Sequence, residues 1–283
     1  MKKPLYFTKM HGLGNDFILV DGLNQRVDVL TLESLAKQLC DRHFGIGADG
    51  LIVVLKSDHS DFKMRIFNSD GSEPQMCGNG IRCFAKFVHD NKLTDKEVFS
   101  VETLAGVIIP ALLLKDGEVT GVEVDMGPAI LERSRIPMLG DQSDSVVHEP
   151  VAIQGETYHV TCVSMGNPHA VIFMESVEDL DIEVVGPQFE GHRLFPERIN
   201  TEFVQILNKQ EAVMRVWERG AGETLACGTG ACAVTVAGVL NGLLDRKVLV
   251  HLPGGDLIIE WLEEGHVMMT GPATTVFTGE VIY

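Results

Sequence analysis

Two cysteines in similar sequence settings are the residues of this chain best placed to do acid–base chemistry. Cys77 and Cys227 are each followed by a Gly-x-Gly turn and by a segment with a helical pattern. The unpaired N–H groups and the positive dipole end of a helix start stabilise a thiolate. They lower the thiol pKa from its ordinary value of about 8.5. The glycines, Gly78 and Gly228 among them, let a carboxylate approach those N–H groups closely. Each motif therefore predicts one acid–base thiol and one anion site.

A pair of thiols suits the inversion of a carbon stereocentre. One thiolate removes a proton from one face of the carbon, and the other thiol returns a proton to the opposite face. The roles are exchanged in the reverse reaction. Positioned acid and base side chains typically contribute about 10² to 10⁴ in rate. The sequence shows no evident pyridoxal-binding lysine motif, so we expect the thiols to act without a cofactor.

The remaining cysteines have the pattern of buried structural residues. They lie inside apolar helical or strand patterns, where cysteine serves as a small hydrophobe: Cys40, Cys83, Cys162 and Cys232. The spacings Cys77-x5-Cys83 and Cys227-x4-Cys232 match no usual pair of zinc ligands. We therefore expect no metal site.

An internal repeat relates the two cysteine motifs. At an offset of 150, Met64-Arg65-Ile66-Phe67 aligns with Met214-Arg215-Val216-Trp217, and six of the 17 positions from 64 to 80 are identical. A weaker match at an offset of 152 places Gly14-Asn15 over Gly166-Asn167. Two matches in the same order favour duplication. If the repeats are related by a two-fold axis, the two thiols approach one cleft from opposite sides.

Helices are predicted at three places. Thr31 could cap a helix that continues to about Cys40. The helix Gly78–Asn91 has one apolar face, and we expect Arg82, Lys86 and His89 on its outer face. The helix Gly228–Leu244 is apolar or small on every side, which predicts that protein surrounds it.

Strands are predicted on both flanks of the two central helices. Alternating and apolar runs place them at Tyr6–Met10, Phe17–Val20, Leu51–Leu55, Phe62–Phe67, Val98–Glu102, Val107–Leu114, Val119–Met126, Tyr158–Val163, Ala170–Met174, Glu202–Leu207, Ala212–Trp217, Val248–Leu252, Leu257–Leu262, His266–Thr270 and Thr275–Ile282. The Pro-, Asp- and Ser-rich stretch 127–149 reads as a connection. We predict an α/β (α+β) fold in which each half wraps a mixed sheet around its central helix. The domains expected are 1–127, joined by the C-terminal strand 273–283, and 128–272.

Composition excludes several classes of protein. The 283 residues carry a net charge of −17, with a pI near 4.9 and 45% hydrophobic residues. This apolar fraction is too high for a disordered chain. The acidic balance argues against nucleic-acid binding, which needs a basic face. No apolar signal core or membrane-length segment is evident, so we expect a cytoplasmic protein without a membrane anchor.

Six separated motifs resemble those of the diaminopimelate epimerase family. They are Gly12-Leu13-Gly14-Asn15-Asp16-Phe17, Phe67-Asn68-x-Asp70-Gly71-Ser72, Met76-Cys77-Gly78-Asn79-Gly80-Ile81-Arg82, Met165-Gly166-Asn167-Pro168-His169-Ala170, Phe195-Pro196-x-x-x-Asn200 and Glu218-Arg219-Gly220-x-Gly222-Glu223-Thr224-x-Ala226-Cys227-Gly228-Thr229-Gly230. The resemblance runs in order from about residue 7 to the C-terminus. It implies a homodimer that interconverts LL- and meso-2,6-diaminopimelate without a cofactor, in lysine and peptidoglycan-precursor synthesis.

The resemblance also implies roles for individual residues. Cys77 and Cys227 would be the acid–base pair, and His169 and Glu218 would tune their protonation. Substrate would be bound at its distal end by Asn15, Asn68, Asn167, Asn200 and Arg219, with Glu218 beside them, and at its reacting end by Gly78, Asn79, Gly228 and Thr229. Under the repeat, Phe17 aligns with His169 and Asn68 with Glu218, so the symmetry breaks at the recognition residues.

Two positions depart from the family pattern, and two other functions stay open. Some members carry glutamine where this chain has Gly50, which we leave out of the site. Phe277 stands where some relatives have a tyrosine associated with dimer packing. A proline- or hydroxyproline-type racemase shares the fold, although those relatives tend to carry histidine where this chain has Asn79. A non-catalytic binder of the same fold is the other alternative. Thiol–disulfide exchange would usually show Cys-x-x-Cys, which this sequence lacks.

Overall fold

The computed structural model describes residues 4–140 and 144–282. Residues 1–3, 141–143 and 283 lie outside it. They include the start of the N-terminal segment, part of the connection expected at 127–149, and the last residue of the expected C-terminal strand.

Strands make up most of the regular structure in the described residues. In chain order they are β1 (Pro4–Gly12), β2 (Asn15–Asp21), β3 (Gly50–Leu55), β4 (Phe62–Asn68), β5 (Val101–Thr103), β6 (Gly106–Ile108), β7 (Ala111–Lys115), β8 (Glu118–Pro128), β9 (Glu149–Ile153), β10 (Glu156–Ser164), β11 (Pro168–Met174), β12 (Asn200–Asn208), β13 (Glu211–Glu218), β14 (Gly222–Thr224), β15 (Lys247–Leu252), β16 (Gly255–Trp261), β17 (His266–Gly271) and β18 (Thr274–Ile282). The α-helices are α1 (Leu32–Cys40), α2 (Gly78–Asp90), α3 (Ile182–Glu190) and α4 (Gly228–Leu240). No helix in these described ranges is long and apolar enough to cross a membrane.

The chain divides into two compact units, Met1–Val124 with Gly271–Tyr283, and Asp125–Thr270. The first unit contains a sheet in the order β18-β1-β2-β3-β4-β5-β6. Its β2–β3 and β4–β5 neighbours are parallel, and the others are antiparallel. Strands β7 and β8 form an antiparallel hairpin.

Strand β3 is apolar throughout because both of its faces are covered. Leu51 and Val53 pack into the core that includes the buried face of α1. A Cβ added to Gly80 of α2 would lie 3.2 Å from Ile52, so Ile52 points to the other side of the sheet. A strand covered on both faces reads as a continuous apolar run rather than an alternating one.

The second unit has a sheet in the order β17-β16-β15-β13-β12-β11-β10-β9, with β14 paired to β13. The β11–β12 and β13–β15 neighbours are parallel. On one face, Phe203 packs with Ile182 and Phe189 of α3. On the other face lies α4, whose residues from Gly230 to Gly238 are all buried. The expectation that protein surrounds this helix is confirmed.

The two units repeat one another element by element. The order of parallel and antiparallel neighbours from β1 to β6 recurs from β10 to β16. Helices α1 and α3, and likewise α2 and α4, begin and end at positions exactly one offset of 150 apart. The residue that follows each central helix is an asparagine. Its side-chain amide donates to a carbonyl four residues earlier, Asn91 to Phe87 and Asn241 to Ala237. The predicted fold of two similar halves is confirmed.

One prediction about α2 is wrong. Arg82 was expected on the outer face of the helix, yet it is fully buried. Its guanidinium donates to the carbonyls of Gly78 and Pro272 and to Oδ1 of Asn79. These hydrogen bonds compensate for the loss of water around the charge, which makes its burial possible.

Three other segments differ from the sequence expectations. The strand predicted at 107–114 is two strands, β6 and β7, with Pro110 between them, because proline cannot donate to a strand ladder. Helix α3 was not predicted. The connection expected at 127–149 contains a short 3₁₀ turn, Arg133–Arg135, and contributes Ile136, Met138 and Val146 to the buried core of the second unit.

Candidate active site

Each of the two cysteines caps the helix that follows it. Cys77 and Cys227 have extended backbone conformations, with φ of −141° and −124°. Each sulfur accepts a hydrogen bond from the glycine N–H three residues later, at 3.4 Å from Gly80 N and from Gly230 N. The sequence prediction that both thiols stand at helix starts is thus confirmed in each unit taken separately.

The first unit places two predicted substrate residues next to Cys77. The thiol lies 3.7 Å from Oδ1 of Asn15, and the side-chain amide of Asn79 donates to the same oxygen at 3.2 Å. Asn79 is buried and also accepts from Arg82 at 2.8 Å. The amide groups are therefore fixed by the protein on both sides.

Asp49 holds the Asn15 turn from the side away from the thiol. Its Oδ2 accepts from Nδ2 of Asn15 at 2.8 Å and from the backbone N–H of Asp16 at 3.0 Å. Arg42 bridges Asp16 and Asp49, and Lys9 lies 2.7 Å from Asp16. Burial raises the pKa of Asp16, but the hydrogen bonds from Arg42 and Lys9 outweigh it and bring that pKa to about 2. The Asn15 side chain is thus held by a network of charged residues.

Asn68 and Gly78 complete the predicted residues of the first unit. Asn68 is exposed at the end of β4, and its side-chain amide donates to Oγ of Ser72 at 2.9 Å. The next residue, Ser69, donates its N–H to the Asp49 carbonyl at 2.9 Å, which connects this turn to the Asn15 network. Gly78 opens α2 directly after Cys77.

Gly50 has a steric reason to be glycine. A Cβ at this position would lie 2.6 Å from the Phe67 carbonyl oxygen of the neighbouring strand. A side chain there would require the backbone to move. Leaving Gly50 out of the site agrees with this geometry.

The second unit joins four residues beside Cys227 by hydrogen bonds. The Cys227 sulfur lies 3.5 Å from Oγ1 of Thr229, and Nδ2 of Asn167 donates to that hydroxyl at 3.2 Å. Oδ1 of Asn167 lies 3.1 Å from Nε2 of His169. Nδ1 of His169 lies 2.7 Å from Oε1 of Glu202. Cys227, Thr229, Asn167 and His169 are predicted site residues; Glu202 is not among those predicted.

Negative charge and burial both oppose ionisation of Cys227. Burial raises the pKa of its thiol well above the ordinary value, and the carboxylates of Glu218 and Glu202 raise it further. The contacts from Thr229 and from the Gly230 N–H act in the opposite direction. Burial also raises the pKa of Glu218, although a hydrogen bond from Thr224 partly offsets this. Cys227 is therefore a thiol at neutral pH.

The other predicted residues of this unit lie at the start of β12, directly after β13 and at the start of α4. Asn200 is buried, donates to the Pro168 carbonyl at 2.7 Å and accepts the Arg219 N–H at 2.9 Å. Arg219 is exposed, and its guanidinium donates to the Glu197 carbonyl. Asn200 therefore fixes the backbone that presents the Arg219 side chain. Gly228 opens α4 directly after Cys227.

One group among the described residues has the donor types that could hold a metal ion. The donor atoms of His169, Glu202 and Cys227 all lie within 4.8 Å of one another. The 2.7 Å separation of the His169 and Glu202 atoms is a hydrogen-bond distance. Two ligands of one zinc ion, each about 2.0–2.2 Å from the metal in tetrahedral geometry, would stand farther apart than this. The group is arranged as a hydrogen-bonded pair beside a thiol rather than as a coordination site.

The remaining cysteines have the properties of structural residues. None of the six cysteines, all of which lie in the described ranges, forms a disulfide. Burial raises the pKa of Cys40 and of Cys83 to about 12 each, and it raises the pKa of Cys162 further. Cys232 is buried inside α4. Thiols that stay protonated in this way are poor nucleophiles.

Three residues that support the site are not among the predicted site residues: Glu202, Asp49 and Arg82. Each acts through a neighbour that the motifs did identify, namely His169, Asn15 and Asn79 respectively. Arg82 lies in a quoted motif, and Asp49 directly precedes Gly50. Glu202 carries a signal that periodicity could have used, because it is an acidic residue at an inward position of a buried strand.

Comparison with known proteins gives a consistent result. The family model described as "Diaminopimelate epimerase" matches residues 7–132 and 161–276. A diaminopimelate epimerase of Moorella thermoacetica is 58% identical over 277 residues, covering 98% of this chain and 99% of the relative. A diaminopimelate epimerase of Methanococcus maripaludis is 55% identical over 276 residues, covering 97% of this chain and 99% of the relative.

Solved structures show the same fold at low sequence identity. A PhzF-family phenazine biosynthesis protein of Bacillus anthracis matches with a TM-score of 0.72 at 15% identity, covering 99% of this chain and all of that one. A hydroxyproline epimerase of Agrobacterium vitis matches with a TM-score of 0.67 at 14% identity, covering 99% of this chain and 92% of that one. A match at such low sequence identity shows a shared fold but does not indicate a shared substrate. The racemase alternative is therefore not favoured by the structural match.

Proposed function

This chain belongs to the diaminopimelate epimerase family, and from that premise we propose that it interconverts LL- and meso-2,6-diaminopimelate without a cofactor. The observation that carries the proposal is the repeated cysteine cap. Each unit presents one thiol at the first turn of a helix, where N–H groups and the helix dipole favour anionic groups. A two-base epimerisation needs one acid–base group for each face of the α-carbon.

The proposed reaction moves two protons and consumes none. The Cys77 thiolate takes the α-proton, and the electron pair of the broken C–H bond remains on the substrate carbon. The Cys227 thiol then donates its proton to the opposite face of that carbon. Cys77 ends as a thiol and Cys227 as a thiolate, ready for the reverse direction. The raised pKa of Cys227 supports its starting role as the acid.

The carbanion beside the substrate carboxylate needs stabilisation by donors that are already in place. We assign the reacting end of the substrate to Gly78, Asn79, Gly228 and Thr229, which lie in the first turns of α2 and α4. The side chain of Asn79 is already held in place, because it donates to Asn15 and accepts from Arg82. Donors fixed before the substrate arrives do not have to reorganise during the reaction.

We assign the distal amino-acid end to Asn15, Asn68, Asn167, Asn200 and Arg219. A planar guanidinium can bind a carboxylate through two parallel hydrogen bonds. The backbone of Arg219 is held by the buried Asn200. Amide side chains both accept from an ammonium group and donate to a carboxylate. The two ends of the substrate thus meet different side chains, although the acid–base groups are alike.

Incubation with LL-diaminopimelate in D₂O tests the proposal directly. We expect deuterium at one α-carbon and formation of the meso isomer, followed by NMR and chiral chromatography. Cys77→Ala and Cys227→Ala should each lower the rate of epimerisation by at least about 10³-fold, since removing an acid–base group costs up to about 10⁴. Cys232→Ala is the matched control, a buried cysteine of the same helix as Cys227, and it should keep its activity. Turnover of proline in place of diaminopimelate would contradict the assignment.

We further propose a cytoplasmic homodimer. Strand β18 is at the edge of its sheet, and Val276, Phe277 and Ile282 on it are exposed, which is a surface that a second copy could cover. Phe277 packs edge-on against Phe7, with ring centroids 5.9 Å apart. Sedimentation equilibrium should give twice the chain mass, and Phe277→Glu should shift the assembly to the monomer. A wild-type protein that sediments as a monomer at micromolar concentration would refute the dimer.

A further inference from the structure

A buried histidine–glutamate pair in the second unit is not explained by the residue roles assigned above. His169 and Glu202 have no exposed side-chain surface, and their Nδ1 and Oε1 atoms lie 2.7 Å apart. Oε2 of Glu202 has no hydrogen-bond partner among the described residues. A buried carboxylate oxygen without a partner costs free energy. Such a residue needs either a structural or a functional reason.

The first unit shows that the fold does not require this pair. In the parallel ladder of the first unit, Leu19 lies opposite Ile52, and in the second unit Val171 lies opposite Glu202. Ile52 is thus the counterpart of Glu202. Phe17, opposite Gly50, is by the same registers the counterpart of His169, opposite Asn200. Two apolar side chains occupy these positions in the first unit, and they are buried.

The space for Glu202 depends on the glycine three residues after the cysteine. A Cβ on Gly230 would lie 2.7 Å from Oε1 of Glu202 and 3.2 Å from the Cys227 sulfur. The carboxylate therefore lies against the first turn of α4, next to the thiol. It does not need to touch a substrate to act on Cys227.

The hydrogen bonds from Glu202 to the sulfur can all run in one direction when Glu202 is ionised. Oδ1 of Asn167 can only accept, so Nε2 of His169 donates to it. A carboxylate can only accept, so Nδ1 of His169 donates to Glu202. Nδ2 of Asn167 donates to Oγ1 of Thr229, which leaves the Thr229 hydroxyl proton available for the Cys227 sulfur, 3.5 Å away. In that arrangement His169 donates from both nitrogens, as an imidazolium does.

We propose that Glu202 is a positioning residue for epimerisation, which holds His169 as an imidazolium and so directs a chain of donors, through Asn167 and Thr229, at the Cys227 sulfur. This inference rests on the proposed role of Cys227. The chain stabilises the thiolate form that Cys227 adopts after it has given its proton to the substrate. Without the carboxylate, the buried ring is neutral and the positive charge near the sulfur is lost.

Other charged groups near Cys227 work against its ionisation. Glu218 on β13 faces the thiol, and its negative charge adds to that of Glu202. The imidazolium of His169 on β11 is the positive group that faces both Glu218 and Glu202. The negative charge of Glu202 also raises the pKa of Cys162 on β10, and this fully buried thiol stays protonated. His169 is thus the cation that balances this pocket, and Glu202 keeps it charged.

The first test is the isosteric change Glu202→Gln, measured by steady-state kinetics in both directions. We expect kcat to fall at least tenfold, in line with the roughly 10- to 100-fold effects of residues that hydrogen-bond metal-ligating histidines, with KM changed less than threefold because Glu202 does not touch the substrate. Glu202→Asp should recover part of the rate. Thr201→Val is the matched control: Thr201 is the adjacent buried residue, its hydroxyl also lacks a partner in the described residues, and its side chain points to the other face of β12. It should keep the wild-type kcat.

The second test separates a role in protonation from a role in folding. The double variant His169→Phe/Glu202→Ile installs the apolar pair of the first unit, so it should fold with a wild-type circular dichroism spectrum yet lose activity. Nitrogen-15 NMR of the histidine ring, assigned with His169→Gln, should show an imidazolium in the wild type and a neutral ring in Glu202→Gln. A wild-type kcat in Glu202→Gln, or an unchanged ring spectrum, would overturn the proposal. Cys227→Ala distinguishes a failure of the proposed function from a failure of this inference. If Cys227→Ala is inactive while Glu202→Gln is fully active, the proposed function stands and only this inference fails.

Discussion

The two cysteines have the same backbone role but different surroundings. Cys77 is partly exposed and contacts the neutral amides of Asn15, whereas Cys227 is only 5% exposed and lies near Glu218 and Glu202. Burial and two negative charges keep Cys227 protonated. A symmetric pair of caps therefore carries an asymmetric pair of proton sites, which is useful when one group must begin as the base and the other as the acid.

The pKa of Cys227 should be measurable by alkylation. Because that pKa is raised, the thiolate fraction at any given pH is lower than for an ordinary cysteine, and the iodoacetamide reaction in Cys77→Ala protein should stay slow at pH 7 and accelerate only above pH 9. Glu218→Gln removes one of the negative charges that raise this pKa, so it should speed alkylation of Cys227 at pH 8. Glu264→Gln, an exposed position, should have no effect. An unchanged rate in Glu218→Gln would show that Glu218 does not influence the thiol.

At this scale, motif spacing predicted the thiols and their immediate neighbours but missed their supporting residues. Cys77 and Cys227 are visible because a cysteine before Gly-x-Gly and a helical run is rare. Glu202 is not visible, since its partner His169 is 33 positions away and the two meet only through the parallel pairing of β11 and β12. Arg82 was misplaced because amphipathic patterns assign charged residues to the outside, whatever carbonyls are available inside.

The helices on the outer faces of the sheets show how duplication could have guided the prediction. Helix α3 contains Gly186 and Pro187, which argue against a helix when the segment is considered alone. Shifted back by 150 positions, it coincides with α1, which was predicted. A Cβ on Gly186 would lie 2.5 Å from the Trp217 ring, so glycine is required for the helix to pack closely on β13. Packing thus overrides local propensity at this element.

A methyl group at the start of α4 should disturb the acid–base pocket. Gly230→Ala would place its Cβ 2.7 Å from Glu202 and 3.2 Å from the Cys227 sulfur, so we expect kcat to fall at least tenfold. Gly191→Ala is the matched control, because its φ of −93° suits any residue and its Cβ would lie 3.4 Å from the nearest atom. Full activity of Gly230→Ala would indicate that this pocket has more room than the distances allow.

The Asp49 network should control how tightly the substrate binds. Asp49→Asn replaces the acceptor of Asn15 and weakens the bridge from Arg42. We expect KM to rise about fivefold to tenfold, the loss of roughly one hydrogen bond of 1–1.5 kcal/mol, with a smaller effect on kcat. Asp61→Asn is the control, a carboxylate paired with Lys96 elsewhere in the same unit. An effect of Asp49→Asn on kcat alone would argue for a role in the chemical step instead.

Across the whole chain, charge bears on stability through overall repulsion and through individual ion pairs. The chain has a net charge of −17, so its excess negative charges repel one another at neutral pH. Individual carboxylates are nevertheless stabilised by cationic and hydrogen-bonding partners. Asp16 is the strongest example, with a pKa of about 2. A group whose folded pKa is below its unfolded value contributes stability above the unfolded pKa of 3.8, and this contribution is lost as the pH falls toward 2.

Asp16→Asn should therefore lower the free energy of unfolding at pH 7 by about 1–2 kcal/mol. The difference from wild type should shrink as the pH falls from 4 to 2, as measured by urea unfolding at several pH values. Asp58→Asn, an exposed position, should show no difference from wild type at any of them. A constant difference between Asp16→Asn and wild type down to pH 2 would refute the assigned pKa.

The fold of two similar halves was predictable because identical residues still recur between the two halves. Arg65 and Glu73 form an ion pair in the first unit, and their aligned counterparts Arg215 and Glu223 form the same pair in the second. The sequence match at these positions thus reflects a shared contact. Strand ends were less predictable, since they depend on partners: β14 has three residues and exists through its pairing with β13.

The use of cysteine as a helix cap has a consequence for stability. Serine, aspartate and asparagine are the preferred cap residues, and a sulfur 3.4 Å from the N–H it accepts is a weak substitute. Replacing the partly exposed Cys77 by serine should raise the free energy of unfolding by roughly 0.5 kcal/mol and abolish turnover. Selection of variants for thermostability alone would therefore favour serine at position 77, where the helix cap and the proposed proton transfer require different residues.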